Sequence, residues 1–159
     1  MKGMNMRYLL AILLTGLFVF TEQAYAAGSD DPPKAADLAE FIAAKKHMQT
    51  ENFKEATPLL QKVVAAQPQN VDALNLLAYS QRKSDDLKAS LANYKKALSL
   101  DPSHKDAHEY IGELYLRLAD LVSAEKHLNR LDQLCFFGCE QLDELKAAIS
   151  AYKRKRGQS

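Results

Sequence analysis

Two residue sets in this chain have the types and spacing for chemistry. Cys135 and Cys139 are the only cysteines, separated by Phe136, Phe137 and Gly138. A C-x-x-x-C pair serves as a disulfide staple, as a redox couple or as soft ligands for Cu(I). Cys139 precedes a stretch that reads as a helix, whose dipole would lower a thiol's pKa and make it reactive. Haem attachment is excluded on spacing, because Glu140 follows Cys139 where C-x-x-C-H needs histidine. His104 and His108 are spaced to reach one metal, but no carboxylate or cysteine is fixed beside both. His104 falls in a turn, His108 in a helix-packing position, and His47 and His127 read as isolated. No G-x-S-x-G, H-E-x-x-H or Gly-rich phosphate loop occurs. The chain is therefore expected to be no enzyme and to carry no metal or cofactor.

Which thiol chemistry applies depends on the compartment, and the N-terminus speaks to that. Lys2 and Arg7 precede an apolar run, Tyr8 to Phe20, followed by Ala24-Tyr25-Ala26. A basic start, a short apolar middle and an A-x-A end are the parts of a secretory signal peptide. The run is shorter than the ~20 residues of a spanning helix. With no cysteine near the cut, a lipoprotein is not expected. We expect cleavage after Ala26 and export, to the periplasm or the outside. Removing Lys2 and Arg7 leaves 19 basic residues, and removing Glu22 leaves 19 acidic ones. A neutral mature chain has no general attraction for nucleic acid or anionic lipid. Residues 27–36, with Gly28, Pro32 and Pro33, read as a flexible lead-in.

The elements that position everything else come from a repeat of 34 residues. Pro68 and Pro102 close similar segments, and matching size classes recur at Ala44, Ala78 and Gly112. The same spacing relates Phe53, Leu87 and Leu121; Ala56, Ser90 and Ala124; and Leu60, Tyr94 and Leu128. The units are 37–70, 71–104 and 105–138, each a pair of amphipathic helices. The small residues at Ala44, Ala78 and Gly112 are expected where the helices of a pair approach most closely. A seventh helix, Glu140 to about Arg154, carries Leu142, Leu145, Ala148, Ile149 and Tyr152 on one stripe, as a capping helix should. Residues 139–159 thus form a cap with a basic tail.

Val71 to His104, with Leu74, Leu77-Ala78, Tyr94, Ala97 and Asp101-Pro102, resembles a tetratricopeptide repeat, of the kind found in exported bacterial proteins. The resemblance implies an all-α right-handed solenoid of three repeats plus a cap. Gln81 and His47 depart from it by replacing an aromatic that Tyr115 supplies, Ser90 stands where Ala is usual, and the third unit has Phe136 for its closing Pro.

In that family the first helices of successive pairs line a groove that holds a peptide or partner helix. The corresponding positions are Phe41, Lys45 and Met48; Asn75, Tyr79 and Arg82; and Glu109, Glu113 and Leu116. They predict a partner whose acidic part lies near Lys45 and Arg82 and whose basic part lies near the third unit. The Lys and Asn pattern with which some members grip a chaperone's C-terminal carboxylate is absent. For an exported chain, Cys135 and Cys139 read most simply as a disulfide fixing the cap to the third unit. The alternative is thiol-redox or copper handling, since the pair also resembles the copper thiols of some respiratory-chain assembly factors.

Overall fold

A computed structural model describes residues 35–157 of the chain. The expected signal peptide and most of the lead-in lie outside the described residues. Seven helices follow: α1 Ala35–Gln49, α2 Phe53–Ala66, α3 Val71–Lys83, α4 Leu87–Leu100, α5 Lys105–Arg117, α6 Leu121–Leu134 and α7 Glu140–Lys155. No strand occurs among the described residues. The architecture is all-α: three helix pairs stacked in order and closed by a final helix.

The backbone repeats with the period of the sequence. Each turn inside a pair has one non-glycine residue in the left-handed region: Glu51 at φ 55°, Asp85 at φ 70° and Ala119 at φ 60°. The turns close identically, with Asn52, Asp86 and Asp120 donating to the carbonyls of His47, Gln81 and Tyr115. Such bonds satisfy carbonyls that a helix end leaves open. Asp86 and Asp120 then cap α4 and α6, accepting from Ala89 and Ser123 N–H groups. Between pairs, Asn70 and His104 cap α3 and α5 in the same way.

The core is three neighbouring clusters rather than one centre. Ala44, Ala56, Leu60 and Leu77 form the first, and Ala78, Tyr94, Ile111 and Leu114 the second. Ala124, Leu131, Cys135, Leu145 and Ile149 form the third. Each bridges a pair to its neighbour, as expected where no single pair can bury its own apolar stripe. Departures from the repeat pattern are compensated locally. Ser90 is fully buried, and its hydroxyl donates to the Ala78 carbonyl at 2.7 Å. Buried Gln81 accepts a bond from Asn93 at 2.8 Å.

The third unit differs from expectation in two ways. A β-carbon on Gly112 would lie 2.6 Å from Leu145 of α7, so this small residue makes room for the cap. The turn into α7 is also one residue longer than its predecessors. Gln67, Asp101 and Cys135 are equivalent C-caps, but the next N-cap falls three residues on at Asn70 and His104 and four on at Cys139. The extra position is accommodated by Gly138 at φ 84°, a backbone state that favours glycine. α7 then lies mainly along α5 and less along α6.

Candidate partner-binding face

The first helices, α1, α3 and α5, carry the residues the sequence assigns to a groove, but they do not present one uniform surface. On α1, Phe41 and Met48 are half-buried against the first core cluster, and exposed Lys45 holds its Nζ 5.8 Å from the Phe41 ring centre. On α3, Tyr79 is half-buried between Phe53, 5.8 Å away edge-on, and Tyr110, 4.8 Å away. Lys83 is exposed, with Nζ 5.4 Å from the Tyr79 ring centre. A cation over a ring face is held by the ring's quadrupole while its other side stays open to solvent. The α1–α3 face, the candidate trough, thus carries two half-buried rings with an exposed lysine beside each.

Arg82 is not the free cation that the sequence implies. Its side chain is buried, its guanidinium lies 5.1 and 5.6 Å from the Tyr79 and Tyr110 ring centres, and its Nη1 meets Glu113 Oε2 at 2.6 Å. The helix spacing that puts Arg82 on the groove side also puts it under Tyr79, so it serves as a floor strut between α3 and α5. Asn75 is buried too, and Asn75 Oδ1, Arg82 Nε and Tyr94 Oη have no partner among the described residues. Burial raises the Tyr94 hydroxyl well above its usual pKa, so it stays protonated.

The third unit is covered rather than open. Gln141 of α7 donates to Asp106 at 2.7 Å, and Leu145 sits on Gly112. Between them Glu109 is only 4% exposed. Its burial, and next the neighbouring Glu144, push the Glu109 carboxyl up to about 9. At neutral pH it keeps its proton, since an uncompensated buried carboxylate is costly. Leu116 packs against the third core cluster. Of the three acidic-unit positions, Glu113 is engaged by Arg82, and Glu109 and Leu116 are packed into the fold. The expectation of a basic partner segment there is corrected: the cap occupies that stretch.

The cysteines and histidines also find definite places. Cys135 and Cys139 are joined in a disulfide, with Cα atoms 5.6 Å apart, and Cys135 is buried. His104 caps α5 and reaches Asp72 at 3.2 Å. His127 is not isolated. Its Nδ1 is 2.8 Å from Nδ1 of His108, whose Nε2 donates to the Pro102 carbonyl at 3.1 Å. That carbonyl can only accept, so the His108 Nδ1 lone pair accepts from His127. Burial and, after it, His108 lower His127 to about 4, so the pair is neutral at ordinary pH. Tyr115 stacks on His127 with ring centres 5.6 Å apart. Among the described residues no cluster of three or more His, Cys, Asp or Glu is placed to hold a metal.

The sequence reading missed Lys83, Tyr110 and the His108–His127 pair. A signal existed for the place of His127, though not for its pairing with His108: His127 and Tyr115, which stack, stand 34 residues after Asn93 and Gln81, which are hydrogen-bonded.

Helix pairs stacked in register, with aromatic side chains on their first helices, define a helical-repeat fold. The chain matches the tetratricopeptide repeat over residues 41–98 and 75–135, and it belongs to that family. It is 30% identical over 77 residues to the TPR repeat-containing thioredoxin TTL4 of Arabidopsis thaliana, covering 48% of this chain and 11% of that one. The chain thus spans about a tenth of that relative's length. The first TPR of Spaghetti (RPAP3) bound to the HSP90 peptide SRMEEVD superposes with a TM-score of 0.65 at 21% identity, covering 73% of this chain and 94% of that one. The TPR2B domain of yeast Sti1, in complex with an Hsp70 peptide, gives 0.70 at 12% identity, with 77% and 99% covered.

Proposed function

We propose that this chain is a non-enzymatic adaptor of the cell envelope that captures an acidic, partly apolar peptide segment in the trough of α1 and α3. The observation that carries the reading is the pair of lysines poised over half-open rings, Lys45 on Phe41 and Lys83 on Tyr79. An extended segment laid there meets apolar ring faces and two cations together, which is how charge complementarity fixes orientation while apolar contact supplies affinity. Arg82 and Glu113 hold the floor and cancel each other, leaving the lysines as the positive rim. Two fold neighbours were solved with peptides, one of them the acidic SRMEEVD, which supports capture of a peptide as the mode of action. Residues 1–26 and the disulfide support an exported, periplasmic or secreted location. The thiol-redox or copper alternative has less support, since Cys135 is buried and the sulfurs are bonded to each other.

The test is an array of 12-residue peptides graded in charge and apolar content, probed with the mature chain and with Lys45→Glu/Lys83→Glu. Acidic peptides with an apolar residue should bind, and the double variant should lose at least tenfold in affinity at unchanged helicity. Equal binding across charge classes, or no loss in the variant, would sink the reading.

A further inference from the structure

The most exposed large apolar side chains of the described residues are Phe136 at 86% and Phe137 at 96%. They are not a frayed tail. Their rings stand edge-to-face 5.0 Å apart, on a turn closed by the Cys135–Cys139 disulfide and by the Gly138 N–H donating to the Cys135 carbonyl at 2.7 Å. In the two earlier turns the position of Phe136 is held by Pro68 and Pro102, which close the turn with little apolar display. Two bare rings on a stapled tip form a preorganised wedge, and ordering it in advance lowers the entropy lost on docking. Asp132, Glu140 and Asp143 flank the tip, all exposed and without an ion-pair partner among the described residues.

We propose that this wedge docks into the α1–α3 trough of a second copy of the chain. The two surfaces are complementary in kind: two rings flanked by carboxylates, and two rings flanked by Lys45 and Lys83, which also lack ion-pair partners among the described residues. They belong to opposite ends of the array, since the tip follows α6 whereas the trough lies on α1 and α3. The contact is therefore head-to-tail between copies, so an associated pair keeps one free trough on the copy that gives its tip and one free tip on the copy that receives it. Two aromatic side chains bury only about 300–500 Å² together, so the association is weak, on the order of 10–100 µM or weaker. The inference rests on the trough being a binding face, and it makes the chain's own tip a competitor of the captured peptide.

Sedimentation velocity of the oxidised mature chain over a dilution series tests it. The sedimentation coefficient should rise with concentration and fall back in high salt. Phe136→Ser/Phe137→Ser and Lys45→Glu/Lys83→Glu should each stay monomeric. Mixed together, they should form a dimer and nothing larger, because only one tip and one trough remain intact. A wild type that stays monomeric overturns the proposal, and so does a trough variant that associates like the wild type, which would mean tip meets tip. Tip-dependent flotation with neutral phosphatidylcholine vesicles by a monomeric wild type also overturns it, in favour of a lipid surface. If the trough variant loses acidic peptides while the wild type never associates, peptide capture stands and only self-docking falls.

Discussion

Leu145 of α7 occupies the space that a side chain at Gly112 of α5 would need. Its Cδ2 and Cδ1 atoms lie 2.6 and 2.7 Å from where a β-carbon would stand, and Leu145 is fully buried. The contact couples the cap to the third pair through shape alone.

Gly112→Ala should therefore loosen the cap, although alanine is the better helix former by about 1 kcal/mol. Overpacking a closed site costs about 1–3 kcal/mol, so a net loss of about 1 kcal/mol is expected. Leu145→Ala should cost about 2–5 kcal/mol by leaving a cavity. The double variant should be less destabilised than the two losses added together, because the new methyl enters the vacated space. Strict additivity in denaturant melts would show that the two residues do not share that space.

Reduction of the disulfide, or Cys135→Ser/Cys139→Ser, should act at one end of the molecule. A loop this short contributes about 2 kcal/mol or less by limiting the unfolded chain. In a stacked array the loss stays with the neighbours of the lesion. Hydrogen exchange should quicken in α7 and the end of α6 and stay unchanged in α1 to α4. A uniform change along the chain would contradict this.

Acid and base should weaken the fold through different residues. His127 stays neutral in the folded chain down to about pH 4, while unfolded histidine takes a proton near 6.5. Its contribution is complete above pH 6.5 and is lost as pH falls toward 4. Glu109 keeps its proton in the folded chain up to about pH 9, while the unfolded carboxyl releases it near 4.5. Its contribution is complete below pH 4.5 and is lost as pH rises toward 9. Each slope is at most about 1.4 kcal/mol per pH unit, and the two oppose each other between pH 4.5 and 6.5. Glu109→Gln should therefore gain stability relative to the wild type between pH 5 and pH 8. Melts in which the variant instead falls behind as pH rises would refute the protonated carboxyl.

Much of the fold was legible because a stacked array writes its contacts at one period. Ala44 and Ala78, or Leu60 and Tyr94, announce the same packing site twice, and the left-handed residues Glu51, Asp85 and Ala119 keep that period in the backbone. The candidate face was legible only where the period holds. Arg82 and Glu113 carry opposite charges at groove positions, but their mutual pairing leaves no mark at 34 residues. Glu109 reads as a groove acid by register, and its burial follows from α7, which is outside the repeat. The turn before α7 is one residue longer and α7 lies more along α5 than along α6, and no periodic pattern foretells that placement.

That extra residue also sets how the molecule could lengthen by duplication. Unit 71–104 begins after a capping Asn70 and ends on a capping His104 with equivalent geometry, so a second copy inserted there would find the neighbours it was built for. A copy placed beyond Cys135 would meet a turn one residue longer than its own and fastened by a covalent bond. Growth is admitted in the interior and refused at the end, so the molecule carries its own stop signal in the geometry of a single turn.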